Sequence, residues 1–303
     1  MFLISGPKLV IESCQQGILG TFPALNQRTT AGFDEWLCEI EEGLEESDSE
    51  PSRSAAPYGV NLIVHRTNPR LQADLEVVVK HKVPVVITSL GAVSELVDAV
   101  HSYGGLVFHD ITNRRHGEKA AEAGVDGLIL VAAGAGGHAG TLHPMPFIAE
   151  IRSFFDGIIL LSGCMSTGRD VAAAMQMGAD LAYLGTRFIN TTESRADEDY
   201  RQMIIDSRIS DVIYTAAISG VPANFLRPSL EAMGLTEEMW SKKAKVDFGK
   251  ELDEARAWKT IWSAGQGVTT IEDNLPVADL IARLKKEFHT ALEDQGRLAQ
   301  RYP

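Results

Sequence analysis

No stretch of this 303-residue chain approaches the ~20 uninterrupted apolar residues that a membrane-spanning helix requires. The opening MFLIS is broken at once by Gly6, Pro7 and Lys8, which leaves it too short for a secretory signal. Cysteine is scarce as well. Cys14, Cys38 and Cys164 are odd in number and far apart, which excludes a disulfide framework and suits the reduced thiols of a cytoplasmic protein. Positive charge is in deficit: 28 basic against 41 acidic side chains leave a net charge of −13, with no basic run, so nucleic acid is excluded as a partner. No histidine pair at helical spacing has a neighbouring carboxylate, so no metal is expected.

What is present is an ordinary globular composition, 45% hydrophobic and 23% charged, in a chain long enough for one large α/β domain with an insertion. Continuous apolar runs lie at 85–88, 106–109, 127–131, 158–161 and 181–184, as expected for strands buried on both faces. Three earlier candidates at 2–5, 18–22 and 58–63 bring the number to eight. Helical periodicity appears at 71–80, 92–102, 113–123 and 168–177. An eighth helix at 276–288 arrives some ninety residues after the last strand.

This alternation predicts a (β/α)8 TIM barrel, with an open doubly wound sheet as the competing architecture. The barrel is expected to comprise 1–190 and 265–303, and residues 191–264 to form a mainly helical lid. Within that lid, 197–207 and 253–263 read as helices and 218–228 as loop. Residues 45–54, EESDSEPSRS, read as a polar surface loop, and the glutamates from Glu41 to Glu46 as a solvated face. Trp258 and Trp262, four apart, suit the packing face of a helix.

Chemistry concentrates in AAGAGGHAGTLHP, residues 132–144. Gly134, Gly136 and Ala139 formally match a dinucleotide fingerprint, but Thr141 to Pro144 intervene before the next helix and the acidic residue falls before the next strand. The alternative is a thin backbone at Gly136 and Gly137 that lets a flat aromatic ligand approach, with His138 presented beside it. Histidine is the side chain whose titration range overlaps neutral pH, which suits a general base. His143 lacks the company a metal ligand needs. Small-residue loops follow the next two strands, Ser162-Gly163-Cys164 and Gly185-Thr186, where backbone N–H groups and a helix N-terminus can hold phosphate. Arg187 suits either a phosphate contact or a structural ion pair.

These segments, with ISGP, YGVN, MGADLAYLGTRF and IWSAGQG, make the chain resemble the nitronate monooxygenase family of FMN-dependent barrels and its reductase relatives. The resemblance implies that His138 is the base near the flavin and that Gly163, Cys164, Gly185 and Thr186 hold the FMN phosphate. It places Asn61 and Gln266 against the ring. Ser5, Gly6, Thr88, Gly136, Gly137 and Ser162 complete the expected FMN set. Two departures stand out: His109-Asp110 occupies a strand end where some relatives carry Lys, and Cys164 replaces a glycine, which requires a turn without positive φ.

The implied activity is oxidation of an alkyl nitronate, with O2, to a carbonyl compound and nitrite. An NAD(P)H-dependent quinone or enoyl-thioester reductase is the alternative, and a flavin-free phosphate-binding barrel the alternative of another class. A homodimer is left open.

Overall fold

The computed structural model describes residues 1–48, 55–91, 94–218, 220–241 and 261–302. Seven parallel strands form its main sheet. β1 (Thr21–Pro23), β2 (Gly59–Ile63), β3 (Val85–Ser89), β4 (Leu106–Ile111) and β5 (Gly127–Val131) pair in sequence order. The two-residue strand β6 (Gly137–His138) branches to a second sheet, and β7 (Ile158–Ser162) and β8 (Leu181–Tyr183) complete the first.

Both faces of this sheet are apolar. One face packs Val85, Ile87, Phe108, Ile129 and Leu160 into an interior layer. The opposite parity, including Val86, Val107, Leu128, Leu130, Ile159 and Leu161, packs with residues of the surrounding helices. Because strand side chains alternate between faces, this double burial explains why the runs read as continuous rather than alternating. β1 and β8 stand at opposite ends of the strand order, yet Thr21 Oγ1 and Tyr183 Oη are 3.3 Å apart, so the sheet curls round its interior layer.

The expected eighth strand is not formed. Residues 2–4 make a turn with Leu3 at φ +61, a left-handed conformation incompatible with an extended strand. The strand expected at 18–22 shrinks to Thr21–Pro23. Among the described residues no ladder joins β8 to β1.

The helices α1 (Pro7–Gln15), α2 (Thr30–Asp48), α3 (Leu71–Lys80), α4 (Ser94–His101), α5 (Arg114–Glu122), α6 (Pro144–Arg152) and α7 (Gly168–Gln176) connect the strands. α2 overrides the surface loop expected from residue 45 onward as far as Asp48, and residues 49–54 of that loop lie outside the described residues. Glu41 is not a merely solvated side chain: it accepts from Tyr58 Oη at 2.8 Å and pairs with His81 at 2.9 Å.

After the short α8 (Thr186–Ile189) comes the insertion. Its described part is mixed rather than mainly helical: α9 (Glu198–Asp206), β9 (Val212–Thr215), β10 (Ala223–Leu226), α10 (Arg227–Ala232) and α11 (Glu237–Trp240). The stretch 218–228, expected to be loop, contains β10. This strand pairs antiparallel with both β9 and β6, with Ala223 opposite His138. Of the helix expected at 253–263, residues 253–260 lie outside the described residues and 261–263 are not helical. Trp262 stacks on Tyr200 at 4.9 Å instead of forming a helix face, and Trp258 lies outside the described residues.

The final helix α12 (Val277–Arg301) runs well past the expected residue 288 and packs along α7. A Cβ on Gly168 would overlap the Leu284 carbonyl and lie 2.5 Å from Phe288 N, so only glycine permits this approach.

Candidate active site

A cavity of about 1440 Å³ is lined by the carboxyl ends of the strands and extends to Leu19, Leu181, Leu284 and Phe288 beside the unladdered edges of β1 and β8. Strand periodicity explains its chemistry. Two residues beyond the inward-facing Ile87, Phe108 and Leu160 stand Ser89, Asp110 and Ser162, and Asn61 occupies the same face of β2. Polar groups therefore cap an apolar floor. They form a relay in which Asn61 Nδ2 donates to Ser89 Oγ at 2.7 Å and the Ser89 hydroxyl donates to Asp110 Oδ2 at 2.5 Å. Asp110 Oδ1 has no partner. Burial pushes the Asp110 carboxyl up to about 6, with the Ser89 hydrogen bond and the nearby terminal amine and His138 partly offsetting the rise. Burial and the Asp110 charge push Tyr183 up to about 12.

The opposite parity sends Thr88 and His109 away from the cavity floor. Thr88 Oγ1 and His109 Nδ1 lie 2.7 Å apart in the layer beneath the helices, and burial holds His109 down at about 4. The structure therefore does not bring Thr88 to the cavity. Nor does it bring Gly6, which packs near Arg195 and Trp36, while Ser5 does line the cavity. Gln266 stands just behind the wall formed by Gly265 and Gly267: its backbone N–H donates to Gly134 O at 2.8 Å, and its side chain accepts weakly from Cys164.

His138 lines the cavity, exposed on β6, at the end of a loop fixed from the insertion. Asn224 Nδ2 donates to Ala135 O at 2.7 Å and Tyr214 Oη donates to Ala139 O at 3.1 Å, on either side of the imidazole. The glycines before it are needed for close approach. A Cβ on Gly136 would lie 2.8 Å from Gly265 N and 2.9 Å from Thr186 Oγ1. His143 is the N-cap of α6, which begins only at Pro144, too late for a dinucleotide fingerprint.

Gly163, Cys164, Gly185 and Thr186 also line the cavity. Their backbone N–H groups make no hydrogen bond among the described residues, which leaves four donors on two adjacent loops. Free backbone N–H groups at strand ends could hold an anionic group. The α7 N-terminus does not contribute as expected. Asp170 Oδ2 accepts from Ser166 and Thr167 N–H at 2.9 and 2.8 Å, and Glu287 accepts from Gly168 N–H at 2.7 Å. Cys164 overturns a second expectation: it adopts φ +61, following Gly163 at φ +118. Holding a non-glycine residue in that region costs roughly 1–2 kcal/mol. Desolvation, with the charge of Asp170 behind it, moves the Cys164 thiol upward, the direction opposite to that of an activated thiolate. Arg187 is structural: its buried guanidinium pairs with Asp273 at 2.6 Å, and Arg283 holds the other Asp273 oxygen.

Strand-end loops that combine an open backbone donor set, a polar-capped apolar floor and a presented histidine define a curled α/β protein with a small-molecule cavity at its strand ends. The Nitronate monooxygenase family profile matches residues 45–287, and the chain belongs to that family of flavin-dependent oxidoreductases. It is 29% identical over 245 residues to the nitronate monooxygenase of Paraburkholderia phytofirmans, covering 75% of this chain and 67% of that one. It is 24% identical over 279 residues to a (3aS,4S,5R,7aS)-5-hydroxy-7a-methyl-1-oxo-octahydro-1H-indene-4-carboxyl-CoA dehydrogenase of Rhodococcus jostii, covering 85% and 75%.

Two solved structures share the fold. The nitroalkane oxidase of Streptomyces ansochromogenes has a TM-score of 0.81 at 23% identity, covering 96% of this chain and 94% of that one. FabK from Thermotoga maritima has a TM-score of 0.79 at 22% identity, covering 98% and 93%. Among the described residues no cluster of metal-ligating side chains occurs, and no helix is long and apolar enough to cross a membrane.

Proposed function

We propose that the protein is an FMN-dependent nitronate monooxygenase that converts alkyl nitronates, and neutral nitroalkanes through them, to carbonyl compounds and nitrite with O2. The observation that carries this reading is that His138 lines the same cavity as Gly163, Cys164, Gly185 and Thr186, whose backbone N–H groups are unengaged among the described residues. Those donors would hold the FMN phosphate, and Asn61 and Ser162 would face the ring system. Bound flavin would supply the one-electron and O2 chemistry, which side chains alone lack.

The chain's own residues do the rest. For a neutral nitroalkane, an imidazole nitrogen of His138 takes the α-proton; the C–H bond breaks and its electron pair moves onto the nitro group, giving the nitronate. The hydrogen bonds to Ala135 O and Ala139 O fix the backbone on either side of His138, and the apolar layer of Ile87, Phe108, Ile129 and Leu160 makes the cavity floor apolar. Fixed geometry of this kind is what makes proton transfer competitive at neutral pH.

Cofactor class is tested first. Titrating the flavin-free protein with FMN and with riboflavin should give tight uptake of FMN and far weaker uptake of riboflavin. Equal affinity for the two would remove the phosphate-anchoring role of the loops. A second reading, an NAD(P)H-dependent flavin reductase, is favoured by the likeness over 279 residues to a carboxyl-CoA dehydrogenase of Rhodococcus jostii. Anaerobic mixing with NADPH decides between them: rapid bleaching of the flavin supports the reductase, and none supports the oxygenase.

A further inference from the structure

Carboxylates outnumber basic side chains by 41 to 28 in the chain, yet the cavity reverses that balance. Among the described residues its lining holds two lysines against a single carboxylate, the buried Asp110. Lys285, one of the two lysines, is committed to the carbonyl of Gln16 at 2.7 Å. The other, Lys119, belongs to a cluster at one sector of the mouth.

α5 follows directly on β4 and opens with Arg114, Arg115 and His116, with Lys119 one turn on. Arg114 is spoken for: Nε pairs with Glu118 at 2.7 Å and the guanidinium lies 4.8 Å over the Phe154 ring. Arg115, His116 and Lys119 are exposed and share a helix face, with Cβ atoms about 5–6 Å apart at the i,i+3 and i,i+4 spacings. No ion pair engages Arg115 or Lys119 among the described residues. His116 is bonded to neutral groups, Thr112 at 3.2 Å and Asn113 at 3.3 Å. Burial, with the charges of Lys119 and Arg115 behind it, lowers its titration. Isolated surface cations are common and mean little. This group differs because His116 and Lys119 line the cavity itself, and because Arg115 and Lys119 stand outside the ion pairs of the described residues.

We propose that the Arg115, His116 and Lys119 face of α5 docks a phosphorylated tail on the molecule whose reacting end reaches His138. The shared chemistry is a phosphate ester, carried either by a coenzyme A thioester substrate or by a nicotinamide dinucleotide. Two cationic side chains on one face, with the His116 ring beside them, suit a dianionic phosphate, and the cavity that His116 and Lys119 line also reaches His138. The inference rests on the flavin-site reading, since it assumes that chemistry occurs beside His138.

The test uses FMN-loaded wild-type protein and the double variant Arg115→Ser, Lys119→Ala, with four probes: coenzyme A, dephospho-coenzyme A, NADPH and NADH. Flavin affinity and circular dichroism serve as fold controls. For the probe whose phosphate docks here, the double variant should bind at least about ten-fold more weakly, the scale of losing charged hydrogen bonds, and should lose most of the salt dependence. A loss seen with coenzyme A but not with its dephospho form identifies a thioester substrate; a loss with NADPH but not NADH identifies the reductant. Equal binding of all four probes by both proteins, or no binding of any, overturns the proposal while leaving the flavin reading intact. Failure of the wild-type protein to take up FMN would instead remove the reading on which the proposal rests.

Discussion

Asn224 donates its side-chain amide to the carbonyl oxygen of Ala135, 2.7 Å away in space and 89 positions away in sequence. This bond, with the pairing of Ala223 and His138, makes the insertion a clamp on the loop that presents the imidazole. Asn224→Ala leaves the Ala135 carbonyl without its partner, at a cost of about 1–3 kcal/mol. Amide exchange at residues 135–139 should quicken, and turnover of neutral nitroalkanes should fall more than turnover of preformed nitronates. Unchanged exchange across that loop would show that the clamp is not needed.

Cys164 tests the strain in the phosphate loop. At φ +61, Cys164→Gly removes a steric penalty of about 1–2 kcal/mol, and the greater freedom of glycine when unfolded returns about 0.5–1 kcal/mol of it. Thermal stability should therefore change little or rise, with FMN affinity kept. Cys164→Val, β-branched in the same conformation, should lower stability and weaken FMN binding together. Equal behaviour of the two variants contradicts a backbone-donor role for this turn.

Asp110 and His109 have opposed pH dependences. Asp110 is raised from 3.8 to about 6, so between those values the folded chain holds the extra proton and stability falls as pH rises. His109 is lowered from 6.5 to about 4, so there the unfolded chain holds the extra proton and stability rises with pH. Each shift is worth on the order of 3 kcal/mol at most, and in the wild-type chain they largely cancel. In flavin-free protein, Asp110→Asn should unmask a melting temperature that climbs from pH 4.5 to 6.5. His109→Asn should unmask one that falls over the same range. Parallel slopes in the two variants would contradict the burial assigned to either group.

Arg187 separates structure from ligand binding. Replacing it by Met removes the buried partner of Asp273, a change worth roughly 1–3 kcal/mol given that Asp273 is partly exposed. Urea midpoints should shift accordingly, while FMN affinity of the folded fraction stays the same. A selective loss of FMN affinity would return Arg187 to the phosphate site.

The parts of the fold that were legible in the sequence are those with a strong local signal. β3, β4, β5 and β7 are apolar on both faces, and the glycine-rich stretch before His138 follows one of them directly. Three features escaped for physical reasons. Phe2 to Ser5 is apolar enough for a strand, but Leu3 turns left-handed, which composition does not reveal. β10 is four residues long between Pro222 and Pro228, and it becomes a strand only because β9 and His138 offer it ladders from distant sequence. The relay from Asn61 through Ser89 to Asp110 depends on which parity faces the cavity. That parity also removes Thr88, and it could have been read by placing Ile87, Phe108 and Leu160 on one face.

The account stands most directly on the role of His138, and one comparison measures it. His138→Asn protein loaded with FMN should be reduced anaerobically by preformed ethyl nitronate at a rate near that of the wild type, yet hardly at all by neutral nitroethane at the same pH. Wild-type rates with neutral nitroethane in that variant would contradict the assignment of the imidazole as the proton acceptor.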